Sequence, residues 1–147
     1  MLERKVVEND IYVLSKAFAL RIVKLYKFLT EQKHEYIISK QLLRSGTSIG
    51  ANVHEAKNAQ SRPDFSSKMN ISLKEASESG YWLDLLYDAE YIHKEAYDSI
   101  SDDCEHLQAV LIKIVKSTKH QPPNSMAKLK KCHKTKTPPS IHSAPMQ

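Results

Sequence analysis

The feature that most constrains this chain is a repeated apolar spacing of three and four residues. Ile11, Leu14, Phe18, Ile22, Leu25 and Leu29 are separated by 3, 4, 4, 3 and 4 positions, which lays them along one face of a helix. Asp10 stands where a cap is expected, so the spacing predicts a first helix over about 10–30. Leu42, Gly46, Ile49, Val53 and Ala56 repeat the pattern and predict a second helix at about 35–59. Ser61, Pro63 and Asp64 form a helix start, with a capping hydroxyl, a proline tolerated in the first turn and an acid favourable to the dipole. Phe65, Met69, Ser72, Ala76, Leu83 and Leu86 then predict a third helix over about 63–89. Ala96, Ile100, Leu107, Leu111 and Ile114 predict a fourth over about 94–117.

The links between these segments are short, so consecutive helices should run antiparallel. The expected fold is all-α, an antiparallel up-down four-helix bundle. Only 3 glycines occur in 147 residues, which argues against folds that rely on glycine for tight turns or phosphate loops. No apolar run is long enough to span a membrane.

Charge separates a body from a tail. Residues 119–147 contain six lysines and no acid, together with five of the 6 prolines, so the net +5 of the chain is a +6 tail on a body of −1. The expected organisation is a bundle over 1–118 and a disordered Lys/Pro-rich tail over 119–147. The body is itself polarised: residues 1–62 sum to +5 and residues 63–118 to −6. Two cysteines, Cys104 and Cys132, one in each part, give no disulfide framework and fit a reducing compartment. Met1-Leu2-Glu3-Arg4-Lys5 lacks the apolar stretch of a signal peptide, so the expected location is cytoplasmic.

The faces that the core does not need carry the functional expectations. Lys16, Lys24 and Lys27 fall opposite the seam of the first helix, with Arg21 on its flank, and no acid occurs between Ile11 and Thr30. On the second helix Arg44, Ser48, Ala51 and Glu55 share a line with Lys40 nearby, a small-residue polar stripe flanked by charge. A solvated face accounts for such cations as well as a phosphate contact does. Ile71, Trp82 and Leu85 lie away from the seam of the third helix, as Tyr12, Val13, Leu20 and Val23 do on the first, which suggests a partner-facing apolar surface. Gly46 and Gly50 form a GxxxG, whose propensity cost close helix approach would offset.

The run from Gln41 through Leu43-Arg44-Ser45-Gly46-Thr47-Ser48-Ile49-Gly50-Ala51-Asn52-Val53-His54-Glu55, followed by Phe65, Leu73-Lys74-Glu75-Ala76 and Tyr81-Trp82-Leu83, resembles the bacterial four-helix bundle proteins. That family includes proteins encoded in 23S ribosomal RNA intervening sequences and the accessory variability proteins of diversity-generating retroelements. Residues 5–118 share the resemblance. It implies a homopentamer, and for the retroelement branch a basic surface that engages nucleic acid and a reverse transcriptase. Arg44, Ser48, Asn52 and Glu55 match its helix-two signature. Ala56 stands where many members have glycine, and the tail lies outside the family pattern.

Arg44 and Glu55 lie about 16 Å apart along one helix, too far to pair with each other. Arg44, Asn52 and Glu55 therefore either hold neighbouring helices or subunits in register, or Arg44 contacts phosphate. Seven histidines are scattered without zinc-site spacing, and no catalytic motif occurs. The expected protein is a non-enzymatic, cofactor-free homo-oligomer that binds nucleic acid, RNA in particular, through Lys16, Arg21, Lys24, Lys27, Lys40 and Arg44. Its interfaces are expected at Ser48, Asn52, Glu55, Ile71, Trp82 and Leu85. The alternative is a scaffold that recruits a partner such as a reverse transcriptase, with little direct nucleic-acid binding.

Overall fold

A computed structural model describes the backbone of residues 2–119 and the side chains from Asp10 onward. The tail expected over 119–147 lies, apart from Lys119, outside the described residues. Four helices follow in order: α1 (Leu2–Glu31), α2 (Ile38–Ala56), α3 (Arg62–Asp88) and α4 (Lys94–Lys119). Each packs on its neighbour in the chain, and α4 closes the square by packing on α1, while neither diagonal pair touches. The antiparallel up-down bundle follows from this arrangement.

The apolar seams become the core. Ile11, Phe18, Ile22, Leu29, Leu42, Ile49, Val53, Met69, Leu83, Leu86, Leu107 and Leu111 are buried together, with Leu14, Leu25 and Phe65 packed partly buried against them. On α4 the seam also takes in Cys104 and Val115, whereas Ala96 is exposed. The α2–α3 seam is built on buried serines. Ser45 Oγ and Ser79 Oγ lie 2.9 Å apart, and Ser72 donates to the Ile49 carbonyl at 3.1 Å. Small hydroxylated side chains let the two backbones approach while keeping their own buried hydroxyls hydrogen-bonded.

Helix α1 corrects one boundary. It begins at Leu2, so Asp10 lies within it and is not its cap. Neither glycine nor proline interrupts residues 2–9, and extending an existing helix costs far less than nucleating one. Helix α2 is shorter than the expected 35–59 because Glu35 ends the link instead of starting the helix. Its buried carboxylate accepts from the backbone N–H groups of Ile37, Ile38 and Ser39 at 3.0, 2.8 and 2.6 Å. Ser61 caps α3, accepting from the Asp64 N–H at 3.2 Å, with Pro63 in the first turn.

No glycine serves a turn. Gly46, Gly50 and Gly80 all sit inside helices. The left-handed positions after α1 and α3 are filled by His34 and Glu90, at φ of 53° and 65°. At each, the next N–H closes the helix end: Glu35 N–H bonds the Leu29 carbonyl and Tyr91 N–H the Leu86 carbonyl, both at 2.9 Å.

Candidate nucleic-acid interface

The six cations expected to form one surface divide into two kinds. Lys16, Lys24, Lys27 and Lys40 are exposed, and none makes an ion pair among the described residues. Lys16 and Lys27 stand on the outer side of α1, and Lys40 in the first turn of α2, which lies beside the end of α1 across a short link. Lys24 leans toward α4, at the lip of a groove of about 370 Å³ that also holds Leu25, Phe28 and Ile92. The only acid within α2 is Glu55, and it is turned to Lys68 on α3 at 2.8 Å. The outer α1–α2 side therefore presents Lys16, Lys27 and Lys40 without an ion pair among the described residues, with Lys24 at its α4 edge and exposed Glu31 one turn beyond Lys27.

Arg21 and Arg44 face elsewhere. Arg21 crosses to α4, where one guanidinium nitrogen lies 2.5 Å from Asp103 Oδ2 and the other donates to Ser99 Oγ at 3.0 Å. Arg44 crosses to α3, donating to Glu78 Oε1 and lying 3.5 Å from Glu75 Oε2. Glu78 Oε1 also accepts from the Trp82 indole at 3.1 Å. The hydrogen bonds from Arg44 and then Trp82 hold the Glu78 carboxyl below the usual carboxylate range, and the bond to Glu78 raises the Arg44 guanidinium further. An arginine paired with carboxylates of its own chain has less field to offer a phosphate than a lysine with none.

This arrangement resolves the helix-two signature. Arg44 and Glu55 each reach α3, at opposite ends of α2, through Glu75/Glu78 and Lys68. Ser48 Oγ donates to the Arg44 carbonyl at 2.6 Å and Asn52 Nδ2 to the Ser48 carbonyl at 2.9 Å. Both are therefore spent on the carbonyls of their own helix. Within one chain Arg44 and Glu55 tie α2 to α3, while Ser48 and Asn52 bond back to α2.

Chain comparison supplies the family. Residues 7–113 match the family described as 23S rRNA-intervening sequence protein. The chain belongs to that family. A crystal structure of a protein of unknown function from the S23 ribosomal protein family of Bacteroides thetaiotaomicron VPI-5482 is 54% identical. It superposes with a TM-score of 0.74 and covers 75% of this chain and 98% of that one. No curated protein matches.

In this member of the 23S rRNA-intervening sequence protein family the three expected apolar interface residues also differ in setting. Ile71 is 37% exposed, whereas Trp82 lies partly buried against the core and Leu85 is half-buried. The Trp82 indole donates to Glu78 Oε1 one turn away on α3, and its ring packs edge-on against exposed Tyr81. Among the described residues the most exposed large apolar side chains on α1 and α3 are instead Val13, Leu20 and Tyr81, at 70%, 56% and 59%. Their periodic placement was readable for Val13 and Leu20, whereas Tyr81 gave no signal in the spacing.

Among the described residues no three His, Cys, Asp or Glu side chains gather as metal ligands, and no helix is long and apolar enough to cross a membrane.

Proposed function

We propose that this protein is a non-enzymatic RNA-binding accessory protein that works as a homo-oligomer, with the outer α1–α2 face as its RNA surface. The observation that carries the reading is that Lys16, Lys24, Lys27 and Lys40 are exposed and make no ion pair among the described residues, while Arg21 and Arg44 are paired with carboxylates within the chain. Lysines without partners are the groups that can exchange condensed counterions for phosphates. The family description, which names 23S rRNA, makes RNA the nucleic acid of choice. No side-chain array suited to reading base edges accompanies the lysines, so binding should be largely independent of sequence.

Exposed Val13 and Leu20 on the same helix support self-association, which would repeat the lysine face around a symmetry axis and multiply its field. The pentamer remains the number that the family resemblance implies. The test is binding of a structured RNA by the full chain and by a Lys24→Gln/Lys27→Gln/Lys40→Gln variant, with sedimentation velocity on both. Loss of affinity at unchanged oligomer mass supports the reading, and unchanged affinity refutes it.

The apolar groove between α1 and α4, with Leu25, Phe28 and Ile92, favours a second reading as a scaffold for a protein partner such as a reverse transcriptase. In that case an Ala96→Glu change in the groove would abolish partner binding and leave RNA binding intact.

A further inference from the structure

A second cleft, of about 460 Å³, opens between α1 and α2 at the opposite end of the outer face from Lys27 and Lys40. Its walls are the small side chains of Ser15, Ala19, Thr47, Gly50 and Ala51. Gly50 brings the helices close: a Cβ there would stand 3.4 Å from the Ser15 carbonyl oxygen. Small walls leave room for a ligand that larger side chains would fill.

The rim carries two lysines and a histidine. Lys16 enters from α1, and His54 and Lys57 come from the end of α2, with Lys57 Nζ held 4.2 Å from the centre of the Tyr12 ring. Among the described residues no carboxylate lines the cleft. The C-terminal dipole of α2 accounts for His54 and Lys57 standing where they do. It does not account for Lys16 facing them from the other helix, nor for a recess between the three. A recess with donors on opposite walls and no acid suits a compact anion of tetrahedral oxygens better than a flat carboxylate or an apolar group.

We propose that this cleft is a phosphate-binding site, and that the phosphate it takes is a backbone phosphodiester of bound nucleic acid. The choice of nucleic acid as the source rests on the RNA-binding reading above. The phosphate chemistry rests on the cleft alone. One backbone phosphate is seated between Lys16, His54 and Lys57, which fixes the strand at one end of the α1–α2 face. The more widely spread Lys24, Lys27 and Lys40 attract the rest of it.

The test uses the full chain with two probes, inorganic pyrophosphate and a single-stranded RNA 16-mer of mixed sequence. Backbone amide shifts report where pyrophosphate binds, and fluorescence anisotropy reports RNA affinity and its salt dependence. Ala51 is exposed, so Ala51→Glu places an acid at the rim without entering the core, and Ala51→Gln controls for bulk. Pyrophosphate is expected to shift the amides of Ser15, Lys16, Gly50 and Ala51 and to be displaced by RNA. Ala51→Glu should weaken both ligands about tenfold, equivalent to about 1.4 kcal/mol, and Ala51→Gln far less. Lys16→Gln should lower the log–log salt slope for the RNA by about 0.7.

Shifts confined to the Lys24–Lys40 end, or RNA binding indifferent to Ala51→Glu, would overturn the cleft while leaving the RNA reading intact. Pyrophosphate bound in the cleft of a chain that binds no RNA would keep the phosphate site and overturn nucleic acid as its source.

Discussion

Gly46 lies so close to Ile22 that a Cβ on the glycine would stand 2.8 Å from Ile22 Cγ1 and 3.2 Å from its Cβ. Both residues are buried, and the clash involves the branch point of the isoleucine, which cannot swing away. Gly46→Ala gains about 1 kcal/mol in helix propensity but overpacks a filled core at a cost of about 1–3 kcal/mol. The expected outcome in urea unfolding is net destabilisation, and a double-mutant cycle with Ile22→Ala, which removes both clashing Cγ atoms, should show favourable coupling. Gly50→Ala meets only the Ser15 carbonyl at 3.4 Å and should be neutral or stabilising by up to about 1 kcal/mol. The two glycines of one GxxxG thus carry different burdens.

Glu35 supplies acid sensitivity. Burial pushes its carboxyl up, but the backbone N–H bonds from Ile38, Ser39 and Ile37 together outweigh that and hold it below the ordinary carboxylate range. A lowered folded-state pKa means that the stabilisation is complete above the unfolded value and is lost as pH falls through the folded one. Glu35→Ala should cost about 1–2 kcal/mol at neutral pH, as for the loss of a helix cap. Glu35→Gln should flatten the dependence of thermal midpoint on pH below the normal carboxylate range. A variant whose acid unfolding matches that of the parent would contradict this role.

Arg44 is expected to act on stability and to leave RNA affinity alone. Its guanidinium is about half exposed, so Arg44→Ala should cost under about 1 kcal/mol. Because Glu78 Oε1 is shared with the Trp82 indole, the double variant with Trp82→Phe should show coupling in a double-mutant cycle. Tryptophan fluorescence would report the altered setting of the ring. A large loss of RNA binding at unchanged stability would instead make Arg44 a phosphate contact.

Arg21 and Lys24 are neighbours in sequence with opposite expectations. Arg21→Gln removes the contacts to Asp103 and Ser99 across the α1–α4 seam, the sparsest of the four helix contacts, and should lower the unfolding midpoint with little change in RNA affinity. Lys24→Gln should do the reverse. Measuring both quantities on the two variants tests whether unpaired charge, and not charge as such, makes the interface.

Cys104 should be chemically silent in the folded state. Its thiol is 1% exposed and donates to the Ala76 carbonyl at 3.3 Å, and burial pushes its pKa up, so little thiolate is available. In a Cys132→Ser background, a thiol reagent is expected to label nothing under native conditions and one site per chain in denaturant. Rapid native labelling would show that the α3–α4 seam opens readily.

Much of the fold was legible because it is a matter of period. A helix seam needs only residues three and four apart, so Ile11 to Leu29 and Leu42 to Ala56 identified their helices directly, and Ser61, Pro63 and Asp64 announced the start of α3 within four residues. The misses occurred where one side chain acts across a change of structure. Glu35 looked like the first residue of a helix and is the cap that begins it three residues later. Cys104 reads by type as a thiol, and only the packed bundle shows it as the seam residue between Ile100 and Leu107. Asp10 looked like a cap because capping residues are recognised by type, and type does not tell whether the preceding turn is already helical.

The candidate surface divides along the same line. The sequence by itself determined that α1 carries an acid-free basic side, that α2 carries small residues among charged ones, and that the net charge of the chain resides in its tail. Which cations stay free was decided only by the tertiary structure. A long side chain on the flank of a helix chooses its partner across a groove, and that choice depends on which helix packs beside it. Arg21 meets Asp103 on α4, Arg44 meets Glu75 and Glu78 on α3, and Lys16, Lys24, Lys27 and Lys40 make no ion pair among the described residues. Helical periodicity sets the direction in which a side chain leaves its own helix, whereas pairing requires the position of another helix, which only the packed bundle provides.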